Sequence, residues 1–487
     1  MVRDIVAGID SSTQSCTVVL RRLEDGAVVG EARKPHPTTT PPRSEQSPHS
    51  WWDALWAAFG ELSEFLPRIA AISCGSQGHG LVMLGEDGLP LRDAKLWNDT
   101  ESAPDAMRLL ERLPPREWAA RTGSIPAAAL TVSKLAWTER IFPGMVAKAK
   151  RIMLPSDYIL FRLSGRVATE RGISSGTGYF NPFKDSWDYS LAELAVPGID
   201  WQSVLPDIIG SAEVSGPVQR IEGLEMLEGA AVGAGSGDNM TAALGMGIRK
   251  GDVVISLGTS GTYYGRTSVG IKDDTGSING YADAANAYLP MITTLNSAKV
   301  TDAFRRILRA STGEFDELAL ATAPGARGLV LVPYLDGERC PNFPDATGTL
   351  SGLRSDVEPG QMARAAIEGV LCGLLEGGDL LESLGLERKG RLIVTGGASK
   401  SKAYRQILAD LTGKPVWTCD VAEAAAAGAA VQAAAALLGR PTADVAEEWQ
   451  PQYRIVAEPN LKAFDQAADV REAYRAAQRH ATRREGR

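Results

Sequence analysis

Two short apolar, β-branched runs near the start of the chain, Ile5 to Ile9 and Thr17 to Leu20, flank the small polar turn Asp10-Ser11-Ser12-Thr13-Gln14-Ser15. Such a pattern predicts a hairpin. It recurs half a chain later, where Val253 to Leu257 and Thr262 to Gly265 flank Gly258-Thr259-Ser260-Gly261. After the first hairpin the pattern predicts a strand at Val28 to Ala32, a Pro-rich loop from Pro35 to Pro48, a helix over about Ser50 to Leu66 and a strand at Ile69 to Cys74. Ser47 followed by Pro48 supplies a cap and a residue pre-set for the first helical turn. Alternation of this kind predicts an α/β fold. Residues 101–225 are more helical and loop-rich and read as a lid or insertion on the first core. A strand-turn-helix follows, from Ala230 through the Gly235 to Asn239 turn to Gly245, and glycines and charges break the chain near Gly247 to Gly251. The division is therefore 1–247 and 248–487. The second half repeats the logic, with helices at Lys299 to Ser311 and Pro359 to Leu384 and strands at Leu329 to Val332, Arg391 to Val394 and Pro415 to Thr418. The Ala-rich stretch Glu423 to Leu438, with polar Gln432 inside, reads as a buried helix. Matching hairpins in the two halves predict a duplicated core with a nucleotide between the copies.

Bulk properties narrow the setting. A chain of 487 residues fits two domains, each with its own core. A net charge of −8 argues against nucleic acid or an anionic membrane as the main partner. The basic stretch Arg475 to Arg487 reads as a solvated helix end or frayed tail. No apolar run approaches the ~18 residues of a membrane span, and no signal pattern stands at the N-terminus. Cysteines 16, 74, 340, 372 and 419 lack Cys-x-x-Cys spacing, which excludes a zinc or disulfide framework and points to a cytoplasmic, reducing setting. A homodimer is left open.

The candidate chemistry sits on the turns. Small and hydroxyl residues expose successive backbone N–H groups, so each hairpin is a candidate phosphate cradle. Asp238 lies on a Gly-Ser-Gly turn after a strand, where a carboxylate can accept a proton from a substrate hydroxyl. The position also fits an N-cap, which would keep its pKa low; a weak base suffices where the transition state is loose. Asp10 ends the first strand, a place for a carboxylate that holds Mg²⁺ or for an ordinary Asx-turn. In Gly75-Ser76-Gln77-Gly78-His79-Gly80, His79 and Gln77 offer donors and acceptors suited to a polyol, against the alternative of a structural histidine. Leu96-Trp97-Asn98-Asp99 has the composition of a carbohydrate pocket, and a core Trp explains it equally well. Thr395-Gly396-Gly397-Ala398-Ser399-Lys400-Ser401 follows a strand and opens a helix, a device for nucleotides. Neither Gly-x-Gly-x-x-Gly spacing nor a Walker sequence is present there, which disfavours P-loop and Rossmann enzymes.

These turns, in this order, resemble the FGGY family of carbohydrate kinases, and within it the xylulokinases. Ser133-Lys134-Leu135-Ala136-Trp137 is similar to the family's first signature. Gly348-Thr349-Leu350-Ser351-Gly352-Leu353, with Gln361-Met362 and Ala365-Ala366-Ile367-Glu368, is similar to the second. Xylulokinase-like character lies in Ser44-Glu45-Gln46, Trp51-Trp52, Gln77-Gly78-His79-Gly80, Leu96-Trp97-Asn98-Asp99 and Pro333-Tyr334-Leu335 with Gly337-Glu338-Arg339. The resemblance implies two ribonuclease-H-like, actin- and hexokinase-type domains flanking a central cleft that closes on ATP and sugar. It implies Asp238 as the base, Asp10 with Asp238 at the Mg²⁺, and Thr13, Gly258, Thr259, Ser260 and Gly261 on the phosphate hairpins. Gly396, Gly397 and Ser401 would stand beside the adenosine. Gln77, Gly78, His79, Trp97, Asn98, Asp99 and Asn239 would form the sugar side. The implied reaction is transfer of the ATP γ-phosphoryl group to a ketopentose, D-xylulose first. Another ketose or polyol such as ribulose is the alternative, and an actin-like ATP switch is the more remote one. Gly78 stands where related enzymes carry a longer side chain, which widens the pocket. Asn296-Ser297-Ala298-Lys299 replaces the usual glycine-containing helix start on the nucleotide side.

Overall fold

The protein is described by a computed structural model over residues 2–343 and 345–485. Of the basic stretch Arg475 to Arg487, the last two residues lie outside the described residues.

Both hairpins form. In the first half β1 (Ile5–Ser11), β2 (Ser15–Arg22) and β3 (Val28–Pro35) run antiparallel. β4 (Ile69–Ser76) lies parallel to β1, and beyond it stand β5 (Val214–Pro217), β6 (Ala231–Gly233) and the short β7 (Ser236–Gly237). The order across the sheet is β5-β6-β4-β1-β2-β3, with β7 also on β4. The second sheet repeats the plan with β8 (Val253–Leu257), β9 (Gly261–Gly265), β10 (Ile278–Ala282), β11 (Tyr288–Thr294), β12 (Leu392–Thr395), β13 (Val416–Cys419) and β14 (Tyr453–Ala457), ordered β10-β11-β9-β8-β12-β13-β14. In each sheet a hairpin's first strand meets a parallel strand on its other side. The predicted strand near Leu329 stands apart from this plan. Val330–Val332 pairs only with Thr349–Ser351, in a separate ribbon.

β1 is buried on both faces, which explains its unbroken apolar run. Ile5, Ala7 and Ile9 meet α1 (Pro48–Glu61), through Trp51, Leu55 and Phe59, and α3 (Pro155–Ser164), through Tyr158 and Leu163. α1 starts at Pro48 as expected, but the Ser47 hydroxyl makes no capping bond. α2 (Thr131–Ile141) and the short α4 (Arg171–Ser174) belong to the segment between the sheet's strands. The opposite face, with Val6 and Ala71, meets α5 (Asp238–Gly245) and α9 (Ala424–Leu438). α9 belongs by sequence to the second half, yet it packs on the first sheet. In the second half α6 (Ala298–Leu308), α7 (Pro359–Ser383) and α8 (Lys402–Thr412) cover the second sheet, and α10 (Ala467–Glu485) closes the chain.

α5 and α9 approach closely enough for backbones to touch. A Cβ on Gly428 would fall 1.7 Å from the Thr241 carbonyl oxygen, and one on Gly245 would fall 2.1 Å from that of Ala424. Two small-residue faces therefore fix where α5 begins, and α5 begins at Asp238.

Candidate active site

Asp238 is the first residue of α5, with Gly237 in the cap position. Its Oδ1 accepts from the backbone N–H of Asn239 at 2.7 Å and from the Asn239 amide at 2.9 Å. Oδ2 is left to face the cavity. A helix start was expected to keep this carboxyl acidic. Burial instead outweighs the two Asn239 bonds and raises it to about 6.

Asp238 and Asn239 line a cavity of about 260 Å³ with Gly78, His79 and Trp97 from the first half. Tyr281, Arg339 and the turn residues Gly258 and Ser260 reach it from the second half. His79 has a positive φ of 65°. Its Nδ1 lies 2.8 Å from the Gly176 carbonyl oxygen. A carbonyl only accepts, so Nδ1 carries the hydrogen and Nε2 is the acceptor, 3.3 Å from the Tyr281 hydroxyl. Burial, then the Lys134 and Arg339 charges, lowers the imidazolium pKa to about 3, so the ring is neutral. The His79 carbonyl accepts from Lys134 Nζ at 2.9 Å and Thr131 Oγ1 at 3.1 Å, which hold the unusual backbone conformation.

Other predicted residues are placed differently. Thr13 does not present a free hydroxyl to a phosphate: Oγ1 donates to Gln77 Oε1 at 3.2 Å and accepts from Trp97 Nε1 at 2.9 Å. It ties the first turn to Gln77 and Trp97. Gln77 is buried next to Gly78 and does not itself line the cavity, and its Nε2 is unpartnered. Asn98 does not line the cavity, and neither does Asp99. The Asp99 carboxylate is consumed by Lys95 Nζ at 2.8 Å and by the backbone N–H groups of Ser44 and Glu101 at 2.8 and 3.0 Å. The Asp99 carboxylate is thus taken up by Lys95, Ser44 and Glu101 and does not reach the cavity. Glu45 and Glu101 complete a carboxylate cluster with it, and Lys95 supplies the cation there.

A second cavity, of about 560 Å³, lies on the other side of the second hairpin turn. Gly258, Thr259, Gly397 and Ser401 line it, with Phe315, Ile367 and Tyr404 as apolar walls. Ser401 caps α8: its hydroxyl accepts from Tyr404 N at 3.1 Å and donates to Asp316 at 2.6 Å. Gly396 (φ 85°) lies beneath, where a Cβ would press on the Leu257 backbone at 2.8 Å. Gly261 pairs with Leu257 and closes the hairpin below the turn. Gly258 belongs to both cavities.

Asp10 stands near Asp238. Its Oδ1 is buried without a partner, and burial together with the Asp238 charge raises its carboxyl to about 8. An orphaned carboxylate oxygen and a second carboxylate that repels it fit a divalent cation, which would relieve both.

The sequence contains matches to two family models: the N-terminal domain of the FGGY family of carbohydrate kinases over residues 5–245 and its C-terminal domain over 253–437. The chain belongs to the FGGY family of carbohydrate kinases. This FGGY kinase is 39% identical to a xylulose kinase of Streptomyces rubiginosus over 462 residues, 95% of this chain and 93% of that protein. It is also 39% identical to one of Streptomyces coelicolor, over 91% and 90% of the two chains. The solved xylulose kinase from Bifidobacterium adolescentis superposes with a TM-score of 0.85 at 34% identity, covering 96% of this chain and 99% of that one. The fold is accordingly the ribonuclease-H-like, actin- and hexokinase-type pair of domains, and the activity is that of an ATP-dependent sugar kinase. Among the described residues no helix of this FGGY kinase is long and apolar enough to cross a membrane. Gly172, Ile173, Gly176, Tyr281 and Arg339 are cavity residues that sequence reasoning did not assign. Only Arg339 carried a signal, inside the Gly337-Glu338-Arg339 motif.

Proposed function

We propose that the enzyme transfers the γ-phosphoryl group of ATP to the terminal hydroxyl of D-xylulose, giving D-xylulose 5-phosphate and ADP with Mg²⁺ as the metal. One observation carries this reading: Asp238 faces a sugar-sized cavity that meets the nucleotide cavity at Gly258. A hydroxyl on Oδ2 of Asp238 would be aimed at the turn where a terminal phosphate lies. Asn239 holds Oδ1, so Oδ2 orients the nucleophile and takes its proton. Backbone amides of the Gly258 to Gly261 turn receive phosphoryl oxygens without reorganising. His79 Nε2, in exchange for its contact with the Tyr281 hydroxyl, accepts from a sugar hydroxyl, and Trp97 flanks the same end. Mg²⁺, held by Asp10 and Asp238, would neutralise charge on the phosphate oxygens. Relatives named xylulose kinases over nearly the whole chain support the choice of sugar.

The test is Asp238→Ala in a coupled ADP assay with D-xylulose. Phosphorylation is expected to disappear while ATP still binds by calorimetry; near-normal turnover would overturn the assignment.

A second reading keeps the chemistry and changes the sugar. A Cβ on Gly78 would meet no atom within 4 Å, so the cavity is open where a longer side chain would narrow it. Another ketose or polyol, ribulose among them, then becomes a substrate. Equal kcat/KM on several pentuloses and hexuloses would favour this reading.

A further inference from the structure

A carboxylate with no part in the chemistry above lies behind the Asp238 turn. Glu170 is fully buried and caps α4. Its neighbour Arg171 turns away to Asp185, 2.8 Å distant. Glu170 Oε2 accepts two bonds at 2.7 Å, from the Gly172 N–H and the Ser236 hydroxyl, and Oε1 accepts from the Ser211 hydroxyl at 2.5 Å. Gly172 begins the cavity wall that ends at Gly176, whose carbonyl receives His79 Nδ1. Ser236 stands in β7, two residues before Asp238. One oxygen therefore joins the wall that aims His79 to the turn that aims Asp238. The two surfaces are tightly apposed there, since a Cβ on Gly172 would lie 2.5 Å from Ser236 Oγ.

We propose that Glu170 is a positioning residue that fixes the Asp238 turn against the α4 wall, so that Asp238 and His79 address one bound sugar in register. This rests on Asp238 acting as the base. Burial raises the Glu170 carboxyl to about 7, and the three donors that face it favour the carboxylate, whose bonds are directional enough to hold a turn. Misplacement of a reacting group by 1 Å costs on the order of 10²-fold in rate. Ser211 bonds the oxygen that touches neither surface, so its loss leaves the Gly172 and Ser236 bonds in place.

The test compares Glu170→Gln, Ser236→Ala and Ser211→Ala in the full-length enzyme, reading kcat, both KM values and thermal unfolding. Glutamine can set its amide oxygen where Oε2 stood and donate from its NH₂ to Ser211 Oγ, so it keeps both the Gly172 and the Ser236 bonds. Glu170→Gln is therefore expected to keep kcat near wild type, and Ser236→Ala to lower it by roughly 10- to 100-fold, with KM for ATP unchanged. Ser211→Ala is expected to keep kcat within about twofold, although both serine variants remove one bond from the same buried group and lose similar thermal stability. Equal kcat in the two serine variants would overturn the proposal, and so would wild-type kcat in Ser236→Ala. If Glu170→Gln does not fold, the serine pair alone decides. Asp238→Ala separates this inference from the reading beneath it. Turnover retained in Asp238→Ala overturns both, whereas turnover lost there with full kcat in Ser236→Ala overturns the positioning role alone.

Discussion

In the proposed reaction, Asp238 carries the chemistry and Gly78 bears on the choice of sugar. Asp238 accepts a proton only as the carboxylate, and burial raises it to about 6. Protonation below that value removes the base. kcat/KM for the sugar, which reports the free enzyme, is therefore expected to fall about tenfold per pH unit below pH ~6. A pH profile flat from 5 to 7 would contradict this. At Gly78 the open space predicts that alanine leaves stability within about 0.5 kcal/mol. Gly78→Met is expected to lower kcat/KM for a ketohexose more than for a ketopentose, measured with both sugars in the ADP assay. Equal losses would show that this space does not govern size selection. The turns that carry Asp10, His79, Asp238 and Gly258 were legible because glycine and small residues mark them locally. The different fate of Asp99 was not: besides the nearby Lys95, its carboxylate is claimed by the backbone N–H of Ser44, 55 residues away, a pairing that no local pattern reveals. Tyr281 was hidden for the same reason, since it meets His79 across 202 residues.

The element that matters most is α5, whose N-terminus presents Asp238 and whose body crosses α9. The small residues that follow the glycine turn made α5 readable, and alanine enrichment marked α9 as a buried helix. The crossing itself left no local trace, because glycines at 245 and 428 look like ordinary helix weaknesses until the other helix is set against them. In the fold they are contact points. Gly428→Ala would improve helix propensity by about 1 kcal/mol. It would also drive a methyl group into the Thr241 carbonyl, at 1.7 Å. Overpacking of a buried contact costs about 1–3 kcal/mol or more, so the clash outweighs the propensity gain. The variant is expected to melt at lower temperature and to lose kcat as the start of α5 shifts. Thermal unfolding with an unchanged or raised midpoint would show that the helices can part without cost.

At the scale of the molecule, the two hairpins and the break near Gly247 suggest two halves that could be cut apart, and the second half's own α9 opposes that. α9 covers the face of the first sheet formed by Val6 and Ala71, with Ala430, Ala433 and Ala434 packed in the same core. Gln432, fully buried, donates to the Gly235 carbonyl at 2.9 Å and accepts from Ser73 Oγ at 3.2 Å. Gly235 opens the turn that ends at Asp238, so a residue from the second half holds the Asp238 turn of the first. A fragment of residues 1–247 keeps every strand of its sheet but exposes that apolar face and leaves Ser73 and Gly235 without Gln432. Exposed apolar area of this kind removes the main favourable contribution to folding. The fragment is therefore expected to show no cooperative calorimetric transition and to bind a hydrophobic dye, while co-expression with residues 248–487 restores both compactness and sugar phosphorylation. A sharp transition for 1–247 alone would mean that the sheet is stable without α9, and the crossing helices would then be a hinge between independent domains rather than a shared core.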